Sequence, residues 1–200
     1  GLDILLRIQP GDRPEASDWS LRITNTGTAP RTFFPCFPYL DGVRLGPKPE
    51  NNLATAMDQG GLVVPAWERA GGVLGQSNQF SMQWHGIWDP ATNSARGLLF
   101  MDPDVRPKRL VLADSTIGLH YFPAVTLAPG ASYDLPPVRV LVYQGDWRPA
   151  ARAYRAWHDS AFPIAPLPAW FRESNGNMGV HFKKARPGVV WSAAERPCPR

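Results

Sequence analysis

Proline and glycine punctuate this chain so densely, at 22 and 18 positions in 200 residues, that short strands and loops are favoured over long helices. A chain of this length buries one sizeable core, and two full domains would be cramped. With 44% hydrophobic and 19% charged residues, it is ordinary globular material, light in charge. One principal domain of mainly β structure is the expectation.

The segments between the breaks read as strands. Leu2 to Gln9 and Trp19 to Asn25 flank the turn Pro10-Gly11-Asp12-Arg13-Pro14, and Trp19, Leu21 and Ile23 alternate with polar residues, which predicts a hairpin with one buried face. Arg31 to Leu40 is aromatic but carries Pro35 and Pro38. Because proline cannot donate to a ladder, this segment belongs on an edge or at a crossing between sheets. Gly46 to Gly75 reads as a long decorated loop holding one short strand, Leu62 to Val64. Gln79 to Trp88, Gly97 to Asp102, Lys108 to Leu112, Gly118 to Phe122 and Tyr133 to Tyr143 continue the series. Short strands with turns between them in this number predict an antiparallel β-sandwich over residues 1–145.

The pattern then changes. Asp146 is suited to cap a helix, Pro149 is tolerated in its first turn, and Ala150, Ala151, Ala153, Tyr154 and Trp157 make one apolar stripe ending before Pro163. Residues 146–170 are thus predicted as a helix and a stiff proline-rich linker. Residues 171–200 show no periodicity and read as an irregular tail, a remnant of a following domain.

Charge and cysteine content exclude several classes. The net charge of +4 is spread along the chain, and the clusters Arg106, Lys108, Arg109 and Lys183, Lys184, Arg186 accompany no nucleic-acid-binding motif, so no nucleic acid is expected as partner. No run approaches the roughly 20 apolar residues that span a bilayer, and no membrane partner is expected. Cys36 and Cys198 lack C-x-x-C spacing and are read as free thiols, with no metal site and no cofactor. There is no G-x-S-x-G, H-E-x-x-H, P-loop or G-x-G-x-x-G motif.

Four stretches carry a family resemblance. They are Leu21 to Asn25 followed by Phe34-Pro35-Cys36-Phe37-Pro38-Tyr39-Leu40; Ser81-Met82-Gln83-Trp84 with Trp88-Asp89-Pro90; Gly97 to Pro103; and Gly145-Asp146-Trp147 through Trp157 to Pro168-Ala169-Trp170-Phe171. Together they resemble the galactose-mutarotase-like β-supersandwich domain of large glycoside hydrolases related to endo-α-N-acetylgalactosaminidase. The resemblance implies further strands ahead of the first one here, and a catalytic barrel of ~200 residues or more beyond Phe171, as partner within one longer protein. It implies a non-catalytic sandwich supporting that barrel, with carbohydrate as the ligand class.

Three sets of side chains could carry chemistry. In mutarotase-like enzymes two histidines and a glutamate handle the sugar ring, and His85 and His120 lie on predicted strands. The base is missing, since only Glu50 and Glu68 are near in sequence before Glu173, and ordinary strand histidines explain both equally. Trp67, Trp84 and Trp88, with Gln83, His85 and Asp89 as polar neighbours, suit a sugar platform; Trp84, His85 and Trp88 are the candidate carbohydrate-binding residues. Alternation places Trp84 and Trp88 on one face and His85 on the other, so core packing competes with that role. Asp89, Asp102 and Asp104 could serve hydrolysis or calcium, though turn chemistry explains them as well. A stand-alone carbohydrate-binding module built on Trp84 to Asp89 and the Gly46 to Gly75 loop, and a mutarotase-like sugar epimerase, are the alternatives to the supporting role.

Overall fold

The computed structural model describes residues 1–56, 62–67, 73–74, 82–113, 115–163 and 166. The described strands are β1 (Leu2–Pro10), β2 (Ala16–Asn25), β3 (Arg31–Phe33), β4 (Cys36–Leu40), β5 (Leu53–Ala56), β6 (Leu62–Pro65), β7 (Val73–Leu74), β8 (Trp84–Asp89), β9 (Ser94–Phe100), β10 (Lys108–Ala113), β11 (Thr116–Tyr121), β12 (Val125–Leu127), β13 (Ser132–Asp134) and β14 (Val138–Gln144). One α-helix, α1 (Arg148–Ala161), follows them. The chain is mainly β, with antiparallel sheets and a C-terminal helix, as the punctuation predicts. Gly1–Pro163 form one compact unit; the tail from residue 167 lies outside the described residues.

An eight-stranded sheet runs β1-β2-β14-β9-β8-β5-β6, with β13 also paired to β2. A four-stranded sheet, β4-β11-β10-β7, packs against it, and β12 and β3 make a separate pair. Between the sheets lie Ile23, Ile87, Leu98, Phe100, Val138 and Val140 from one side and Phe37, Leu110, Leu112, Ile117, Leu119 and Tyr121 from the other. The larger sheet has a second buried face, where Ala16, Trp84, Leu99 and Leu141 pack under Ala150 and Tyr154 of α1. Strands β8 and β9, covered on both faces, consequently lose the polar alternation of a half-exposed strand.

Several expectations needed correction. The run Tyr133 to Tyr143 is two strands, because Pro136 and Pro137 cannot donate; β13 pairs with Arg22–Thr24 and β14 with Ala16–Trp19, end to end along β2. The supposed loop Gly46 to Gly75 contains β5, which pairs with both β6 and β8 and so extends the large sheet. Of the predicted strand from Gln79, only Trp84 onward is strand; residues 79–81 lie outside the described ones. The hairpin of β1 and β2 forms in full register, Leu2 against Asn25 through Pro10 against Ser17. On its second strand Ile23 is buried and Trp19 and Leu21 are half-buried against the core, but β1 is exposed along its whole length, because no described element covers that end of the sheet. The proline-broken segment does both things proposed for it: β3 leaves the main sheets, and β4 is an edge strand.

Helix α1 begins one residue later than the Asp146 cap implies. Trp147 is its N-cap, and Asp146 instead accepts the Arg148 N–H at 2.9 Å through its side chain, just ahead of the helix. The close approach of α1 to the sheet depends on glycine. A Cβ on Gly97 would lie 2.7 Å from the Ala150 Cβ, and one on Gly86 would lie 3.3 Å from the Trp84 ring.

Candidate functional site

His85 projects from β8 towards the sandwich interior, the same side as Ile87, and is 1% exposed. The Thr55 hydroxyl accepts the Gly86 N–H at 3.0 Å and is therefore left to donate to His85 Nδ1, 3.4 Å away. That arrangement favours a neutral ring, and burial pushes its pKa down to about 4, against a smaller opposing pull from Thr55. Nε2 is buried with no partner among the described residues. A proton carrier sealed this way cannot reach a substrate without opening the core.

His120 stands elsewhere. On β11, Ile117, Leu119 and Tyr121 fill the core, so alternation turns Gly118 and His120 to the outer face of the four-stranded sheet. There His120 opposes Arg109 and Cys36 across the ladder, and its ring lies 6.4 Å from that of Tyr39. The two histidines thus occupy different sheets and opposite sides of the core, and the pair that a two-histidine epimerase needs is not assembled. Glu50 sits in a short helical turn at the surface, and Glu68 lies outside the described residues.

The tryptophans are structural in their surroundings. Trp84 is 3% exposed and stacks on Trp147 with ring centres 6.2 Å apart and planes 26° from parallel, so the face it would offer a sugar is covered. Trp88, 7% exposed, is the floor of a shallow groove of about 440 Å³ walled by Asn93, Asp146, Arg148 and Arg152. Trp67 donates its Nε1–H to Asn52 Oδ1 at 3.1 Å. His85 thus faces the layer opposite Trp84 and Trp88, and of the three only Trp88 borders an open groove.

The carboxylates are also committed. Asp89 Oδ1 accepts the Ala91 N–H and Oδ2 accepts the Thr92 hydroxyl, at 2.9 and 2.8 Å, which is turn chemistry. Asp102, fully buried, holds Lys108 Nζ at 2.5 Å and the Arg106 N–H at 2.8 Å on the same oxygen. Asp104 pairs with Arg106 at the surface. No group of three or more His, Cys, Asp or Glu among the described residues is placed to hold a metal ion. No helix among them is long and apolar enough to cross a membrane.

One exposed group was not singled out from sequence. Phe34 and Tyr39 are 64% and 58% exposed. Phe34 meets Phe122 edge-on at 6.1 Å, and the Arg109 guanidinium lies 5.5 Å over the Phe122 ring. With His120 beside Tyr39, these residues form an aromatic and basic strip on and beside the outer face of the smaller sheet. Gly118 makes room for it, since a Cβ there would meet the Tyr39 ring at 2.8 Å. The signal was the alternation of Thr116 to Tyr121, which turns His120 outward, together with aromatics flanked by prolines.

No protein-family profile matches the chain. No curated protein matches its sequence. Solved structures do match in fold. The GH36 α-galactosidase AgaB of Geobacillus stearothermophilus superposes with a TM-score of 0.57 at 12% identity, over 80% of this chain and 24% of that one. The α-galactosidase of Lactobacillus brevis gives 0.57 at 13% identity, over 80% and 23%. The chain spans about a quarter of the length of these proteins, and its fold is that of a β-sandwich region within GH36 α-galactosidases.

Proposed function

We propose that the chain is the non-catalytic β-sandwich domain of a carbohydrate-active enzyme, a glycoside hydrolase whose catalytic barrel lies outside these residues. The observation that carries this reading is the fold match to about a quarter of each GH36 α-galactosidase. The chemistry is consistent with it, because His85, His120, Asp89 and Asp102 are each separated from one another or tied into the fold. Helix α1 supplies the joint: it clamps its tryptophans and Tyr154 onto the outer face of the large sheet and delivers the chain to Pro163. Within the glycoside hydrolases, the four sequence stretches favour relatives of endo-α-N-acetylgalactosaminidase, whereas the fold neighbours are α-galactosidases; both act at α-linked galactose-type sugars by their names.

The test is to express the chain with the sequence that follows Arg200 in its gene and assay p-nitrophenyl α-galactoside and α-N-acetylgalactosaminide. Activity in the longer protein and none in the 200-residue chain is expected. Turnover by the 200-residue chain alone, or a following segment that forms no barrel, refutes the proposal.

A second reading, a carbohydrate-binding module, is favoured by the strip of Phe34, Tyr39 and Phe122, because exposed aromatic faces stack on the C–H faces of pyranoses. Titration against galactose-containing glycans should then show binding that Tyr39→Ala and Phe34→Ala abolish. No binding at millimolar glycan removes this reading.

A further inference from the structure

The groove floored by Trp88 lies between the β8–β9 turn and the first turn of α1, and its volume of about 440 Å³ suits a sugar-sized ligand. All of its walls come from residues 88–152, so they are built whatever precedes or follows the chain. One backbone hydrogen bond fixes the two turns against each other. Asn93 and Gly145 both take left-handed conformations, with φ of 57° and 119°, and the Asn93 carbonyl accepts the Gly145 N–H at 2.8 Å. The groove is rich in donors and short of acceptors. Trp88, only 7% exposed, offers no ring face, but its Nε1–H has no acceptor among the described residues and, unlike that of Trp84, is not sealed in; it opens to the groove that its ring floors. Arg148 and Arg152 stand one helical turn apart on the same face of α1, and both line the groove. Asp146 pins Arg148, accepting its N–H at 2.9 Å on Oδ1 and its guanidinium on Oδ2, and the same guanidinium lies 5.3 Å over the Trp147 ring. Arg155, further along the helix, is paired with Asp159. Arg152, between them, has no ion-pair partner among the described residues.

We propose that this groove binds the carboxylate of an acidic sugar, a uronic or sialic acid unit of a glycan. The hydroxyls of a neutral pyranose need acceptors as well as donors, and the one carboxylate that lines the groove, Asp146, already has both oxygens engaged by Arg148. An ionised carboxylate only accepts, and so matches what the walls offer. The lining carries two arginines against one aspartate, and the positive charge left over is that of Arg152, which one carboxylate balances with charge-assisted hydrogen bonds. The Trp88 Nε1–H, fixed in the floor, gives a second donor whose position cannot shift. The backbone of the helix start adds none, because the Arg148 N–H is taken by Asp146 and Pro149 has no N–H. Pro149 instead leaves an apolar wall beside the donors, where the C–H edge of a sugar ring can rest. That the ligand is a sugar rests on the carbohydrate-active reading above; that it carries a carboxylate rests on the groove alone.

Sodium galacturonate and sodium N-acetylneuraminate, with galactose and sodium acetate as controls, are titrated by calorimetry into the 200-residue chain and into the longer product of its gene. In the 200-residue chain the indole N–H signals are also followed by nuclear magnetic resonance, the Trp88 signal being the one that Trp88→Phe removes. At least one of the two acids should bind with a dissociation constant of about 1 mM, shift the Trp88 signal, and bind more weakly as salt is raised; galactose and acetate should bind roughly tenfold more weakly or not at all. Arg152→Gln should weaken the acid by roughly tenfold, whereas Arg155→Gln, whose arginine is paired outside the groove, should leave it unchanged. Circular dichroism confirms folding of each variant. Absence of binding by both acids at about 20 mM overturns the proposal, as does binding that Arg152→Gln leaves intact. Galactose binding as tightly as the acids refutes the choice of a carboxylate, and acetate binding as tightly refutes the choice of a sugar. Binding by the 200-residue chain that is lost in the longer protein shows the groove to be filled by another part of that protein, and overturns the proposal as well. A longer protein that binds the acids but turns over neither p-nitrophenyl glycoside sinks the glycosidase reading while supporting this one.

Discussion

Removing the carboxylate of Asp102 should cost this fold about 3–5 kcal/mol, because it strands a buried ammonium. Lys108 is 2% exposed; apart from Asp102, its Nζ has only the Arg106 carbonyl at 3.0 Å and the face of Tyr121 at 5.6 Å. Burial already pushes the Lys108 pKa down, with Asp102 as the main opposing influence. In Asp102→Ala the ammonium escapes by losing its proton, which sets a ceiling. At about pH 7 that costs ~1.4 kcal/mol for each of the roughly 3.4 pH units separating it from an ordinary lysine, or about 4.6 kcal/mol. The sign follows from linkage: a lysine with a depressed folded-state pKa binds fewer protons than in the unfolded chain, so the variant gains stability as pH rises towards about 10.4. The ceiling therefore falls to about 1.4 kcal/mol near pH 9.4. Urea unfolding followed by tryptophan fluorescence, with unchanged slope, reads both values. A loss below about 1 kcal/mol at neutral pH, or the same loss at both pH values, would refute the account. Lys108→Met should cost less than Asp102→Ala, since Asp102 keeps the Arg106 N–H and guanidinium, and the double variant should recover part of the loss.

Three further outcomes follow from the same geometry. His85, neutral in the fold with its pKa near 4, should let stability fall by about 3 kcal/mol between pH ~6.5 and ~4 as the unfolded chain takes up a proton; His85→Gln should remove that component from the acid limb of the urea midpoint. Gly97→Ala, whose Cβ would press on Ala150, should cost about 1–3 kcal/mol and alter the near-ultraviolet signal of the Trp84–Trp147 stack. Adding Ala150→Gly should recover much of it. The Cys36 thiol, raised by burial to about 11, should react with a disulfide reagent near pH 8 at least ~100-fold more slowly than an ordinary thiol of pKa about 8.5, measured in a Cys198→Ser background.

The class of fold was legible because β strands announce themselves through turns, and the turns here are written in proline, glycine and asparagine. Most of the strands, the helix and its stop before Pro163 could be placed from those signals. What was not legible depended on partners distant in sequence. Leu53–Ala56 looks like loop, since its apolar run is short, and it becomes strand by pairing with Ile87 and Trp88. A hairpin with one buried face was expected from the alternation of Trp19, Leu21 and Ile23, but burial requires a covering layer, and alternation cannot say how far along the sheet one reaches, so β1 is exposed. For the site, alternation correctly separated Trp84 from His85. It could not show that Trp147 covers Trp84, nor that His120 belongs to a different sheet. Asp89, Asp102 and Asp104 stood out as the clustered carboxylates of the strand region; only folding brings Lys108 inside to meet Asp102.

The position of β14 has a consequence for how the chain is made. It is the last strand in sequence among the described residues, yet it lies between β2 and β9 in the middle of the large sheet. A ribosome releases β2 roughly 120 residues ahead of β14, an interval of about 6–24 s at 5–20 residues per second. Throughout it the first hairpin must wait with an open apolar flank, and the β8–β9 pair, complete at Phe100, waits beside it as a separate piece until Gln144. The nascent chain is therefore vulnerable until the central strand arrives, and chaperone capture or truncation before residue 144 should decide its yield.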